Sequence, residues 1–136
     1  MSRLELAKHV AKELGCTERV TEAFVLRLFD QAELFDSKQR DYGPMNIATF
    51  GEMGVVVRTN DKLARLVNLL FPGGQWNPNT PANESIEDTY RDLSNYGIIA
   101  LMCRAGEWPT TSEPVPSRDG KDPGSLLPTG HPDAAT

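Results

Sequence analysis

The chain has 136 residues, 39% apolar and 24% charged, which leaves room for one domain with a core of three or four packed helices plus a tail, and excludes a second domain. Its formal net charge of −5 argues against direct binding of double-stranded nucleic acid, which needs a basic surface to neutralise phosphates. The first residues lack an apolar signal run, no stretch has transmembrane length, and Cys16 and Cys103 lack metal-type spacing, so a cytoplasmic protein that avoids membranes and keeps buried, reduced thiols is expected.

In chain order, residues 2 to 14 suit a short helix with the stripe Leu4, Ala7, Val10, Ala11 and Leu14, Ser2 as cap and Gly15 as stop. His9 lies beside that stripe, without a visible partner for chemistry. Thr17 or Thr21 caps a longer helix through about Gln39, with Val20, Phe24, Leu28, Leu34 and Phe35 on the core side and Val25, Leu26 and Phe29 widening its apolar surface. Its acids Asp30, Glu33 and Asp36 either face solvent or form a second carboxylate wall. Lys38, Arg40 and Tyr42 follow, before the Gly43-Pro44 breaker. The two cations suit phosphate and Tyr42 suits stacking on a base; equally, they suit the end of a helix dipole and a packed aromatic.

Residues 47 to 54 read as a short helix or irregular turn, because Gly51 and Gly54 weaken a regular assignment. From Val55 to Phe71 the helical pattern returns, with Val56, Leu63, Leu66, Val67 and Leu70 toward the core and Asp61, Arg65 and Asn68 opposite, Arg58 and Lys62 at the margins. Asp61 with Arg65 is either a plain helical ion pair or a pair that orients a ligand. Residues 71 to 82 form a loop by composition, where Trp76 either covers a nucleobase or pins the loop to the helices.

The chain is organised around residues 83 to 104. Ile86, Tyr90, Leu93, Gly97, Ala100 and Leu101 fall on one face, and Glu84, Glu87, Asp88, Arg91 and Asn95 on the other. Glu84, Glu87 and Asp88 stand at i, i+3 and i+4, so their carboxylates repel one another, and a cation would relieve the strain. Magnesium, which takes carboxylate oxygens and is completed by substrate phosphates, fits that need. Residues 109 to 136 hold six prolines and three glycines with few large apolar side chains, and should form a disordered tail after a helical domain at 1–108. The expected fold is thus an all-α bundle of three to four main helices.

Three motifs in this order, Lys38-x-Arg40-Asp41-Tyr42-Gly43, Asp61-Lys62-x-x-Arg65 and Glu84-Ser85-x-x-Asp88-x-x-x-Asp92-Leu93-x-Asn95-Tyr96, resemble the helical nucleotide-modification-associated domain found in phage genomes. A more distant similarity is to the MazG-like, all-α nucleoside triphosphate pyrophosphohydrolases, whose helix-borne acidic pairs hold magnesium against a triphosphate. The resemblance implies a role in phage nucleotide metabolism, with a (deoxy)nucleotide as ligand and Mg2+ as cofactor. Glu84, Glu87, Asp88 and Asp92 would hold the metal, and Glu87 and Asp88 would be catalytic if the triphosphate is cleaved. Lys38, Arg40, Tyr42, Asp61, Lys62, Arg65, Asn95 and Trp76 would contact the nucleotide. The rivals are a non-catalytic binder, such as a sponge for signalling nucleotides or an accessory subunit, and a helical interaction module. A homo-oligomer stays open on every one of these readings.

Overall fold

A computed structural model describes residues 1–79 and 83–110, with the side chains of Asn83 and Glu84 outside the described part. Most of the expected tail, from 111 onward, also lies outside the described residues. The described chain is all-α: α1 (Arg3–Glu13), α2 (Arg19–Tyr42), α3 (Met45–Ala48), α4 (Gly51–Leu70), a 3-10 turn at Pro72–Gly74, and α5 (Asn83–Arg104). None of these helices is long and apolar enough to cross a membrane.

The start of α1 follows its sequence. Ser2 Oγ accepts from the Glu5 amide and Glu5 Oε2 accepts from the Ser2 amide at 2.6 Å, a reciprocal cap. Ala7 and Ala11 bring α1 close to Val25 of α2, with Val10, Leu26 and Phe29 around them. Leu14 stays exposed, as does His9. α2 begins after Glu18, with no side-chain cap from Thr17 or Thr21. Its expected core residues Val20, Phe24 and Leu28 are exposed, because α1 covers only the stripe that carries Val25. Cys16 is also exposed rather than buried, while Cys103 is half-buried.

After Gly43, at φ 68°, the chain turns through α3 into α4. α4 starts four residues earlier than the glycines suggest, since both have work there. Gly51 adopts φ 56°, open to glycine at little cost, and a Cβ on Gly54 would lie 2.8 Å from Phe50 Cβ. α4 packs along α5, and α2 meets α5 from the other side. Ile47, Val55, Ile99 and Trp108 form the main core, flanked by Phe35, Tyr96 and Met102; Leu66, Leu70 and Ile86 form a second cluster. Trp108 closes the main core, its Nε1 donating to Pro44 O at 3.0 Å and its ring set edge-on to Phe35.

Two helices are rotated from the expected phase. On α4, Val56, Leu63 and Val67 point outward while Val55 is buried; on α5, Tyr90, Gly97 and Leu101 are exposed while Thr89, Asn95 and Ile99 are buried. The α5 rotation follows from polar partners. Gln31 Nε2 donates to Arg91 O (2.8 Å) and to Asn95 Oδ1 (3.2 Å), Asn95 Nδ2 donates to Gln31 O (3.3 Å), and Thr89 Oγ1 donates to Ser85 O (2.6 Å). Satisfied polar groups can occupy buried positions that a hydrophobic period assigns to the surface.

Candidate functional site

The turn of α5 toward α2 aims Asp88 and Asp92 into the space between α2, α4 and α5. On α4, Arg58, Lys62 and Arg65 stand at i, i+4 and i+7, so one stripe of cations faces the same space. Lys38 joins them from α2. The result is a cleft of two chambers that meet at Lys38, Lys62 and Asp92.

The first chamber, of about 680 Å³, is charged. Asp30, Glu33, Asp88 and Asp92 face Lys38, Lys62, Arg65 and Arg91 there, four charges of each sign, with Ser85 and Thr89 between. Most of these groups are already paired. Lys62 Nζ lies 2.7 Å from Asp92, Arg91 donates to Asp88 (2.9 Å) and Glu87 (3.3 Å), and Arg3 of α1 bridges Asp30 (2.9 Å) and Glu33 (2.5 Å). The hydrogen bond to Glu33 is the main cause that raises the Arg3 pKa, helped by the charges of both acids. Arg65 donates to Ser85 Oγ, and Lys38 Nζ sits 5.9 Å from the centre of the Tyr42 ring. Among the described residues, Lys38, Arg58 and Arg65 form no ion pair with a carboxylate.

The second chamber, of about 370 Å³, is aromatic and amidic: Phe35, Tyr42 and Tyr96 line it with Gln39, Asn46, Asn95 and Arg58. Asn46 Oδ1 is sealed from solvent and has no hydrogen-bond partner among the described residues, a cost of about 1–3 kcal/mol for a buried acceptor left open.

The structure therefore gathers Lys38, Tyr42, Lys62, Arg65, Asp88, Asp92 and Asn95 around one cleft. It leaves others outside. Arg40 pairs with Asp36 on the exposed side of α2. Asp61 is exposed and one helical step away from the basic stripe. Trp76 packs against Phe71 at a tilt, with ring centres 5.2 Å apart and planes at 56°, and so pins the loop rather than lining the cleft. Glu87 lines a shallow neighbouring depression with Arg27 and Tyr90. Asn95 borders the second chamber as a buried strut, bonded to Gln31.

Arg91 alters the electrostatic argument for the acidic patch. From the same face of the helix it supplies a positive charge to both Glu87 and Asp88, which relieves the repulsion without a bound cation. Among the described residues no three His, Cys, Asp or Glu side chains converge as a metal cage; the side chain of Glu84 falls outside that statement. Asn46, Arg58, Arg91 and Tyr96 were missed as cleft residues. For Arg58 the signal was present in its spacing from Lys62 and Arg65, whereas nothing local marks Asn46.

No family model matches the chain, and neither curated proteins nor solved structures show a match.

Proposed function

We propose that the cleft binds a (deoxy)nucleotide, with phosphates in the charged chamber and the base in the aromatic one. The observation that carries this reading is the joining of the two chambers at Lys38 and Lys62. Lys38 and Arg58, which form no ion pair among the described residues, and Lys62, paired with Asp92, line a slot walled by Tyr42 and Tyr96. Each chamber has the volume of a ligand site, ~300–1,000 Å³. Binding rather than chemistry is the better-supported half of the proposal, because Asp88 and Asp92 already hold basic partners. The protein would then act in the cytoplasm, as a nucleotide binder or accessory factor in phage nucleotide metabolism.

Magnesium belongs to this proposal as a companion of the phosphates, because the chamber offers it carboxylates but, among the described residues, no preformed cage. Asp88 and Asp92 on α5 line the charged chamber with Asp30 and Glu33 on α2, all oxygen donors of the kind the ion takes alongside phosphate. Bound there, it would neutralise phosphate charge. The same opposed acids favour a second reading, pyrophosphohydrolysis, in which water attacks the α-phosphorus, the bond to the bridging oxygen breaks, and monophosphate and pyrophosphate leave. Asp88 would then accept the proton of the water, once released from Arg91.

The test is calorimetric titration of each deoxynucleoside triphosphate, with ribose 5-phosphate and pyrophosphate alongside, in the presence and absence of magnesium. Lys38→Ala should weaken the triphosphates about tenfold or more, the effect of one lost charge-assisted hydrogen bond. Chromatography of the same mixtures separates a binder, which returns the triphosphate intact, from a hydrolase. No heat from any nucleotide, with or without the metal, would sink the proposal.

A further inference from the structure

The side of α4 turned away from the cleft is apolar and has no partner within the described fold. Met53 is 68% exposed, Val56 60%, Leu63 54% and Val67 50%. With Asn60, also exposed, these residues are spaced three, four, three and four apart, which is the seam of a two-stranded coiled coil. Val57 and Ala64 widen the seam on one flank, and Phe50 and Phe71 extend it at the ends. The helix is 20 residues long, so the seam runs for most of about 30 Å.

Single exposed apolar side chains need no explanation, but a continuous row does. If wholly covered, the exposed fractions of the row and its ends amount to about 700 Å² per copy, close to the ~800 Å² that each partner contributes to a stable interface. Asn60 decides what covers it. Its carboxamide holds both acceptor and donors, so on a two-fold axis each copy satisfies the other. An unrelated apolar helix would leave that amide buried and unpaired. A lipid surface would do the same, and among the described residues the border of the seam carries Asp61, Asn68 and the neutralised Glu52–Arg104 pair rather than a cationic rim for anionic headgroups.

We propose that the protein is a homodimer in which two α4 helices pack through Met53, Val56, Asn60, Leu63 and Val67, with the two Asn60 side chains facing each other on the axis. The dimer leaves Arg58, Lys62 and Arg65 free on the opposite side of the same helix, so both copies keep an open cleft.

Sedimentation equilibrium of the full chain tests this. The expected mass is twice 15.0 kDa, and a 15.0 kDa particle at all concentrations would overturn the proposal. Val56→Glu with Leu63→Glu should give a monomer with unchanged helical circular dichroism, since both side chains face solvent in a single chain; a dimer that survives these changes uses another surface and refutes the assignment. Asn60→Cys in a Cys16→Ser background keeps the question open to test if the glutamates unfold the chain. Mild oxidation should link nearly all of it as a dimer, and failure to link would place position 60 off the axis. A seam covered by residues 111–136 of the same chain would give a monomer that dimerises only on removal of that tail, which also overturns the proposal.

Discussion

Replacing Asn95 by alanine tests whether the pairing of buried amides, rather than apolar contact, sets the angle between α2 and α5. Asn95 is 8% exposed and Gln31 8%, and two hydrogen bonds run between them in addition to the one from Gln31 to Arg91 O. Alanine removes both inter-residue bonds. Gln31 Nε2 keeps Arg91 O and the Gln31 carbonyl keeps its helix, so neither group is fully orphaned. At about 0.5–1.5 kcal/mol net for each bond, the loss is about 2 kcal/mol. For a domain of this size that lowers Tm by roughly 7–9 °C. Urea melts of the wild type, Asn95→Ala, Gln31→Ala and the double variant complete the cycle, and a coupling energy near 1 kcal/mol is expected. If the cleft binds a nucleotide as proposed, its affinity should fall in parallel with stability, because Asn95 borders the aromatic chamber, while inorganic pyrophosphate should be unaffected. A single-variant loss below about 0.5 kcal/mol, the low end for one such bond, would refute the reasoning and return the helix angle to the apolar clusters.

Ending the chain after Glu107 removes Trp108 from the main core and should cost about 3–5 kcal/mol, whereas ending it after Thr110 should leave the denaturation midpoint unchanged; melts of both shortened chains decide this. Gly97→Ala should raise stability by about 1 kcal/mol, as an exposed helical glycine with open space at its Cβ, while Gly54→Ala should lose that gain because its Cβ meets Phe50. The cap on α1 carries a pH signature: hydrogen bonds from Ser2 hold the Glu5 carboxyl below its ordinary 4.5. Its stabilisation is therefore present above that value and is lost as the pH falls through the lowered folded value, so Glu5→Gln should flatten this part of the acid limb of a stability-against-pH curve.

Helix number and order were legible because several boundaries have local chemistry, Ser2 before α1, Gly43 followed by Pro44, and the Pro-rich loop before Asn83, whereas the starts of α2 and α4 carry no side-chain cap and were displaced. Rotation about the helix axes was not legible. A hydrophobic period assumes that apolar side chains face inward, and on α4 the larger apolar stripe, Met53 to Val67, faces outward. On α5 the buried face carries Thr89 and Asn95, whose burial depends on acceptors and donors at Ser85 and Gln31. Of these, only the Ser85 contact lies within one helical turn and leaves a trace in the local sequence. The cations of the cleft were easier to find than its aromatic wall, since Lys62 and Arg65 share a stripe, while Tyr96 comes to face Tyr42 only after α5 has turned.

The hold of Trp108 on Pro44, across 64 positions of chain, has a kinetic consequence. α1 with α2, and α4 with α5, are hairpins of neighbouring segments, whose contacts close small loops and form quickly. The main core lies between them and needs Phe35 and Trp108 together, so its closure has to wait for the longest loop in the described fold. If the docking of preformed hairpins is the barrier, contacts inside the hairpins are already made at the transition state, so changes there should slow folding. Changes at Pro44 and Trp108, whose contacts are completed only on docking, should mainly speed unfolding. In that case the cleft, which exists only between docked hairpins, is among the last features of the molecule to take shape.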